Sequence, residues 1–167
     1  ALPLWLADIN LSFAQAFFEA TSGLTTTGAT AIADLNILSP GLLFWRSMLH
    51  GLGGVGVIVI AVAVLPALQV GGMQVFKTES SDSSEKIIPK ARQIAGGIVN
   101  AYLLLIVICA ISYHEAGMGW FDAINHAIST IANGGFSTRN TSFAAFLETA
   151  PNIEWVASVF MLLSGLP

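Results

Sequence analysis

Hydrophobic positions in this chain gather into two long runs and several shorter ones, with the polar positions clustered between them. From Gly51 to Leu68 no residue is charged, and the apolar character extends back through Leu42, Leu43, Phe44 and Trp45, interrupted by Arg46 and His50. From Ile94 to Tyr113 the only strongly polar side chain is Asn100. A helix of about 20 residues crosses the hydrocarbon of a bilayer, so both runs predict membrane-spanning helices. A third run opens at Ile153 and carries Trp155, Val156, Phe160, Met161, Leu162 and Leu163, but the sequence stops at Pro167, short of a crossing. The start, Ala1-Leu2-Pro3, has neither an initiator Met nor a basic leader, so the sequence is expected to be an excerpt of a longer protein.

Two further segments are too apolar for loops and too short to cross. Phe13 to Leu24 has a helical stripe at Phe13, Phe17 and Leu24 and runs into Thr25-Thr26-Thr27-Gly28-Ala29-Thr30. Trp120 to Ile131 runs likewise into Ala132-Asn133-Gly134-Gly135-Phe136-Ser137-Thr138. As helices these segments would reach about 18 Å each, roughly half a membrane, which fits a re-entrant half-helix followed by a Gly-containing loop. The two superpose without gaps at an offset of 107, with Ala16 on Ala123, Ala20 on Ala127, Ser22 on Ser129 and Gly28 on Gly135 identical. The order of short helix, small-polar Gly loop and full span is repeated as well, and internal repeats are a habit of transport proteins.

Irregular backbone at membrane depth is tolerated only against protein or a water-filled cavity. A loop of small residues around a Gly can turn several carbonyl oxygens toward one axis, where they replace the water shell of a monovalent cation. The half-helices would aim their partially negative C-terminal ends at the same place. A divalent-metal site would want carboxylates or imidazoles, and neither loop contains one.

Composition agrees with the membrane reading. Only 10% of the 167 residues are charged, against about 25% in a soluble domain, while 54% are hydrophobic and mean hydropathy is +0.75. Six basic residues in a chain of net charge −4 give no footprint for nucleic acid, and the single Cys109 excludes an internal disulfide framework or a cysteine-only metal site. Lys77, Lys86, Lys90 and Arg92 lie together between the two spans, which makes that linker cytoplasmic by the positive-inside rule. The opposite side holds Asp8, Glu19, Asp34, Glu115, Asp122, Glu148 and Glu154, with Arg46 and Arg139 as its only bases: an acidic outer face that would raise the local concentration of cations, or, for any one of these acids, an ordinary solvated loop.

The chain therefore divides into 1–76 (first pore helix, loop and inner helix), a cytoplasmic linker at 77–93, and 94–167 (second outer helix, pore helix, loop and truncated inner helix). The fold class is all-α integral membrane, built from repeated helix, pore-helix, filter-loop and helix units.

Other motifs carry blander readings. Gly51-Leu52-Gly53-Gly54-Val55-Gly56 satisfies the dinucleotide fingerprint, but no strand precedes it and no acid follows at the required distance, so close helix packing is expected instead. Arg46 and His50 are expected at the interface or facing the bundle, His114 facing water, His126 packed and hydrogen-bonded, and Cys109 facing lipid or filling a gap. Asn100 is expected to hydrogen-bond across helices and Arg139 to anchor its loop. No grouping of nucleophile, base and orienting residue, and no carboxylate-histidine cluster, speaks for an enzyme. The alternative to an ion path is a membrane-embedded carrier or scaffold whose Gly-rich loops only pack helices.

At these residues the chain resembles the Trk/Ktr/HKT superfamily of potassium transporters, most closely its bacterial TrkH branch. The resemblance rests on Ala20-Thr21-Ser22-Gly23-Leu24-Thr25-Thr26-Thr27-Gly28-Ala29, on Gly51 to Val59, on Val70-Gly71-Gly72-Met73-Gln74, and on Trp120 to Ala127 with Gly134-Gly135-Phe136-Ser137-Thr138. It implies four membrane-pore-membrane repeats around one path, of which this chain holds two filter loops. Gly28 and Gly135 would be the filter glycines, with Thr26, Thr27, Asn133 and Gly134 presenting neighbouring carbonyls, so that potassium is held by the backbone of these six residues. In the related plant transporters a Ser at the first filter position goes with sodium selectivity, so Gly28 implies potassium. The resemblance also implies no cofactor beyond the transported ion, a multi-pass protein of the bacterial inner membrane, a homodimer, and a cytosolic nucleotide-binding regulatory subunit.

Overall fold

The computed structural model describes residues 1–7, 9–68 and 84–166, with the backbone alone for 57–68 and 84–94. Among these residues every regular element is helical: α1 (Leu2–Trp5), α2 (Phe13–Leu24), α3 (Pro40–Leu68), α4 (Ser84–Glu115), α5 (Trp120–Ile131) and α6 (Ile153–Ser164), with 3-10 turns at Leu35–Ile37 and Ser142–Phe146. Val70-Gly71-Gly72-Met73-Gln74 and the part of the linker from Lys77 to Ser83 lie outside the described residues. From Ser84 to Gln93, where a linker is expected, the chain is already helical.

Local chemistry sets the helix starts. Ser12 caps α2 in a reciprocal box: its hydroxyl accepts from the Gln15 N–H at 3.3 Å, and the Gln15 side chain accepts from the Ser12 N–H at 2.9 Å. Pro40 opens α3, at a position where the missing N–H costs nothing. Asp122 in the first turn of α5 complements the positive end of that helix.

Both expected spans lie on long helices. The 29 residues of α3 reach about 43 Å. Within α4, Ala95–Glu115 has a mean hydropathy of 2.2 and is the one helix among the described residues long and apolar enough to cross a bilayer. One side of α4 packs through Tyr102, Cys109, Ala110 and Tyr113 against Ala123, Ala127 and Ile131 of α5 and against Ile153, Ala157 and Phe160 of α6. Small residues on facing helices let the backbones approach, as in membrane bundles. Cys109 is packed filler here. The other side of α4, with Leu103, Leu104, Val107 and Ile111, stays exposed.

The glycine-rich start of the first span does the packing expected of it. A side-chain carbon on Gly53 would strike the Leu24 carbonyl at the end of α2, one on Gly54 would meet the Tyr102 ring of α4, and one on Gly51 would crowd Ile128 of α5. Three helices thus close on one turn of α3. The Phe13, Phe17, Leu24 stripe does not face this interior: all three are exposed, and α2 buries Ala16, Glu19, Ser22 and Gly23 instead. Small and polar residues make the inward face because they permit close approach and hydrogen bonding.

Candidate ion-coordinating loops

The two short helices and their loops are backbone copies of one another. α2 and α5 begin and end at positions related by the same offset of 107 that aligns their sequences. At the end of α2 the Thr27 N–H donates to the Ser22 carbonyl at 2.9 Å and the Thr26 N–H to the Gly23 carbonyl at 3.1 Å. At the end of α5 the Gly134 N–H donates to Ser129 at 2.9 Å and the Asn133 N–H to Thr130 at 3.0 Å. This pair of bonds is the Schellman termination, which requires a left-handed residue just past the cap.

That left-handed place is ordinarily filled by Gly, and where α4 ends it is: Gly117 has φ 116°, with Gly117 N–H bonded to His114 and Met118 N–H to Tyr113. The half-helices put Thr26 (φ 55°) and Asn133 (φ 52°) there instead. A β-branched Thr in that region is strained, and strain of this kind collects at functional sites. Two residues further on, Gly28 (φ 75°) and Gly135 (φ 91°) are left-handed again. Each loop therefore alternates in handedness over the stretch read as coordinating.

The loops also meet. A side-chain carbon on Gly28 would collide with the Gly134 carbonyl and lie 3.6 Å from Gly135 Cα. Thr27 and Asn133 are exposed, Thr26 and Gly28 half-buried, Gly134 buried and Gly135 exposed, so all six predicted residues fall on two touching loops at the helix C-termini. Thr25 and Thr27 hydroxyls bond each other at 2.8 Å, which occupies polar side chains and leaves the main-chain oxygens for other partners. Among the described residues no three His, Cys, Asp or Glu side chains group where they could hold a metal.

Behind the loops lies a buried polar layer that sequence reading missed. Glu19 was expected in a solvated outer loop, yet it is fully buried and paired with Arg46 of α3, Nε to Oε1, at 2.8 Å. Its carboxylate also accepts from the Thr30 hydroxyl at 3.0 Å and the Ala31 N–H at 2.7 Å. The clue in the sequence was spacing: Glu19 shares a helix face with Ala16 and Gly23. Asp122, likewise expected in solvent, is mostly buried and takes the Thr138 hydroxyl at 2.6 Å and Arg139 at 3.0 Å. Arg139 anchors its loop as expected, with its own side chain half exposed.

Histidines complete the layer. His126 is packed and hydrogen-bonded as expected, through the Asp122 carbonyl at 2.8 Å and the Ser137 hydroxyl at 2.9 Å. His50 faces the bundle, stacked on Phe136 with ring centroids 4.1 Å apart and Nδ1 3.0 Å from Ser129 Oγ. His114 is half-buried, with its ring stacked on Trp120 at 3.9 Å and Nδ1 2.9 Å from the Met118 carbonyl. Asn100 is exposed on the described surface.

Comparison with known proteins places this arrangement. A family model described as "TrkH: Cation transport protein" matches residues 1–167. The chain is 42% identical to the Trk system potassium uptake protein TrkI of Halomonas elongata over 167 residues, covering 100% of this chain and 34% of that protein. It is 45% identical to the Trk system potassium uptake protein TrkH of Escherichia coli strain K12 over 168 residues, covering 99% of this chain and again 34% of the relative. The fold superposes on the crystal structure of the potassium transporter TrkH from Vibrio parahaemolyticus with a TM-score of 0.75 and 42% identity, over 92% of this chain and 30% of that one. The chain thus spans about a third of the length of the curated relatives it matches.

Proposed function

This chain belongs to the TrkH family of cation transport proteins, and from that premise we propose that it supplies two of four selectivity-filter loops in a potassium uptake protein. Main-chain carbonyls of Thr26, Thr27, Gly28, Asn133, Gly134 and Gly135 take the place of water around a dehydrated potassium ion. The observation that carries this reading is the conformational copy: two loops, offset by 107 residues, both left-handed at their first and third coordinating positions and in backbone contact at Gly28 and Gly134. Alternating handedness turns successive carbonyls to one side, and the C-terminal ends of α2 and α5 add partial negative charge at the same place. Potassium passes without chemistry on a substrate and without a cofactor.

The organisation proposed for the whole follows. Residues 1–76 make one pore unit, 77–93 connect on the cytoplasmic side, and 94–167 make most of a second unit, in a multi-pass protein of the bacterial inner membrane. Further pore repeats of the parent chain complete the ring, and family membership supports a homodimer with a cytosolic nucleotide-binding regulatory subunit. A carrier or scaffold whose glycines merely pack helices accounts for Gly51, Gly53 and Gly54, but gives no reason for a strained Thr26.

The test is potassium-limited growth of a transport-deficient strain carrying the full-length protein, wild type against Gly28→Ser and Gly135→Ser. Loss of potassium uptake or of sodium exclusion is expected in both. Unchanged uptake and exclusion at equal membrane levels would overturn the filter assignment.

A further inference from the structure

Arg46 is buried to 1% exposure on a helix expected to span the membrane, where an unpaired guanidinium would be costly. Its pairing with Glu19 accounts for one edge of the fork. The rest reaches further: Nη2 donates to the Thr30 hydroxyl at 3.4 Å, Nη1 to the Ser137 carbonyl at 3.2 Å, and Cζ lies 4.1 Å from the centre of the Phe136 ring. Thr30 and Ser137 are the same place in the two repeats, each two residues past its filter glycine. One planar side chain therefore holds the exits of both loops.

The second repeat has no counterpart. His126 stands where Glu19 stands and meets the Ser137 hydroxyl, much as Glu19 meets that of Thr30. The helix that follows the second loop, α6, carries no basic residue to match Arg46. Among the described residues Arg46 is the only cation in contact with both loops.

We propose that Arg46 is a positioning residue that couples the spacing of the two loops and thereby sets discrimination of potassium over sodium. This rests on the filter reading above. Coordinating groups discriminate only when held to about half an ångström, and loops take that precision from the side chains packed behind them. Arg46 reaches its acceptors through three nitrogens of a rigid fork. A lysine would keep the charge beside Glu19 as a single ammonium and could not serve Thr30 and Ser137 in the same plane.

The test uses the full-length protein in lipid vesicles, reading tracer rubidium uptake, its competition by potassium and by sodium, and the thermal midpoint of the same preparations. Arg46→Lys is expected to stay folded, with the midpoint within a few degrees of wild type, while the potassium-to-sodium ratio falls about tenfold, the scale of one lost charge-assisted hydrogen bond. The double variant Glu19→Gln with Arg46→Gln removes both buried charges together, and the same loss of discrimination is expected. Gly28→Ser serves as the reference in the same vesicles. If it shifts the ratio while Arg46→Lys and the double variant keep the wild-type ratio, the coupling role is overturned and the filter reading stands. A fall in folded protein with an unchanged ratio likewise assigns Arg46 to stability alone and overturns the proposal. If Gly28→Ser leaves both rubidium uptake and the ratio unchanged, the filter reading fails and the coupling role with it.

Discussion

Gly28 lies so close to Gly134 that a single added carbon on Gly28 would overlap the Gly134 carbonyl oxygen. Two loops far apart in sequence therefore touch through backbone, with no side chain between them.

Gly28→Ala is penalised twice, by that overlap and by a φ of 75°. The left-handed conformation alone costs an alanine about 1–2 kcal/mol. Tracer rubidium uptake by the full-length protein is expected to fall about tenfold or more, since roughly 1.4 kcal/mol is a factor of ten. Gly41→Ala is the control: that site opens onto free space at the start of α3, and uptake there is expected to hold. Equal uptake by both variants would show that the contact between loops is unimportant.

Gly134 is not among the residues with positive φ, so an alanine there is opposed first by the His50 ring packed behind the loop. Overpacking of this sort costs about 1–3 kcal/mol. Gly134→Ala is expected to lower the thermal midpoint, and His50→Ala in the same background to restore part of it. Additive losses across the double-mutant cycle would contradict the assigned contact.

Tyr113 Oη and Thr130 Oγ1 bond each other at 2.7 Å inside the core that fastens α5 to α4. Tyr113→Phe or Thr130→Val leaves one buried hydroxyl unpaired and is expected to cost about 1–3 kcal/mol, while the double variant removes both groups and costs little. Chemical or thermal unfolding of the four proteins measures this directly.

Asp34 and Asn140 tie together the segments that leave the two loops. Asp34 Oδ1 accepts from Asn140 Nδ2 at 2.8 Å, and Asn140 Oδ1 accepts from the Leu35 N–H at 2.7 Å. The Asn140 hydrogen bond, with further help from the Asn36 N–H, holds the Asp34 carboxyl below the usual carboxylate range. A lowered value means the tie is complete above about pH 4 and is lost as pH falls through the lowered value. The difference in thermal midpoint between wild type and Asp34→Asn is expected to shrink from pH 6 toward pH 3. A constant difference would detach the tie from the ionised form.

Much of the fold is readable along the chain because helices are local. The limits of α2 and α5 and the start of α6 follow from hydrophobic spacing and from a repeat that aligns without gaps. Glu19 and Asp122 resist such reading, since an acid in a half-polar segment looks solvated until its partner is known. Glu19's partner comes from α3, and the same guanidinium reaches on to Ser137, beyond any periodicity.

By itself the sequence determined a chain of membrane-like composition holding two related segments, each a short helix that runs into a glycine loop, because composition and period are properties of neighbours in the chain. Only the tertiary structure decided that the loops touch at Gly28 and Gly134, and that one arginine braces both. The reason is physical: in a low-dielectric interior a buried charge persists only where folding brings acceptors to it, and those acceptors are set by packing rather than by order in the chain.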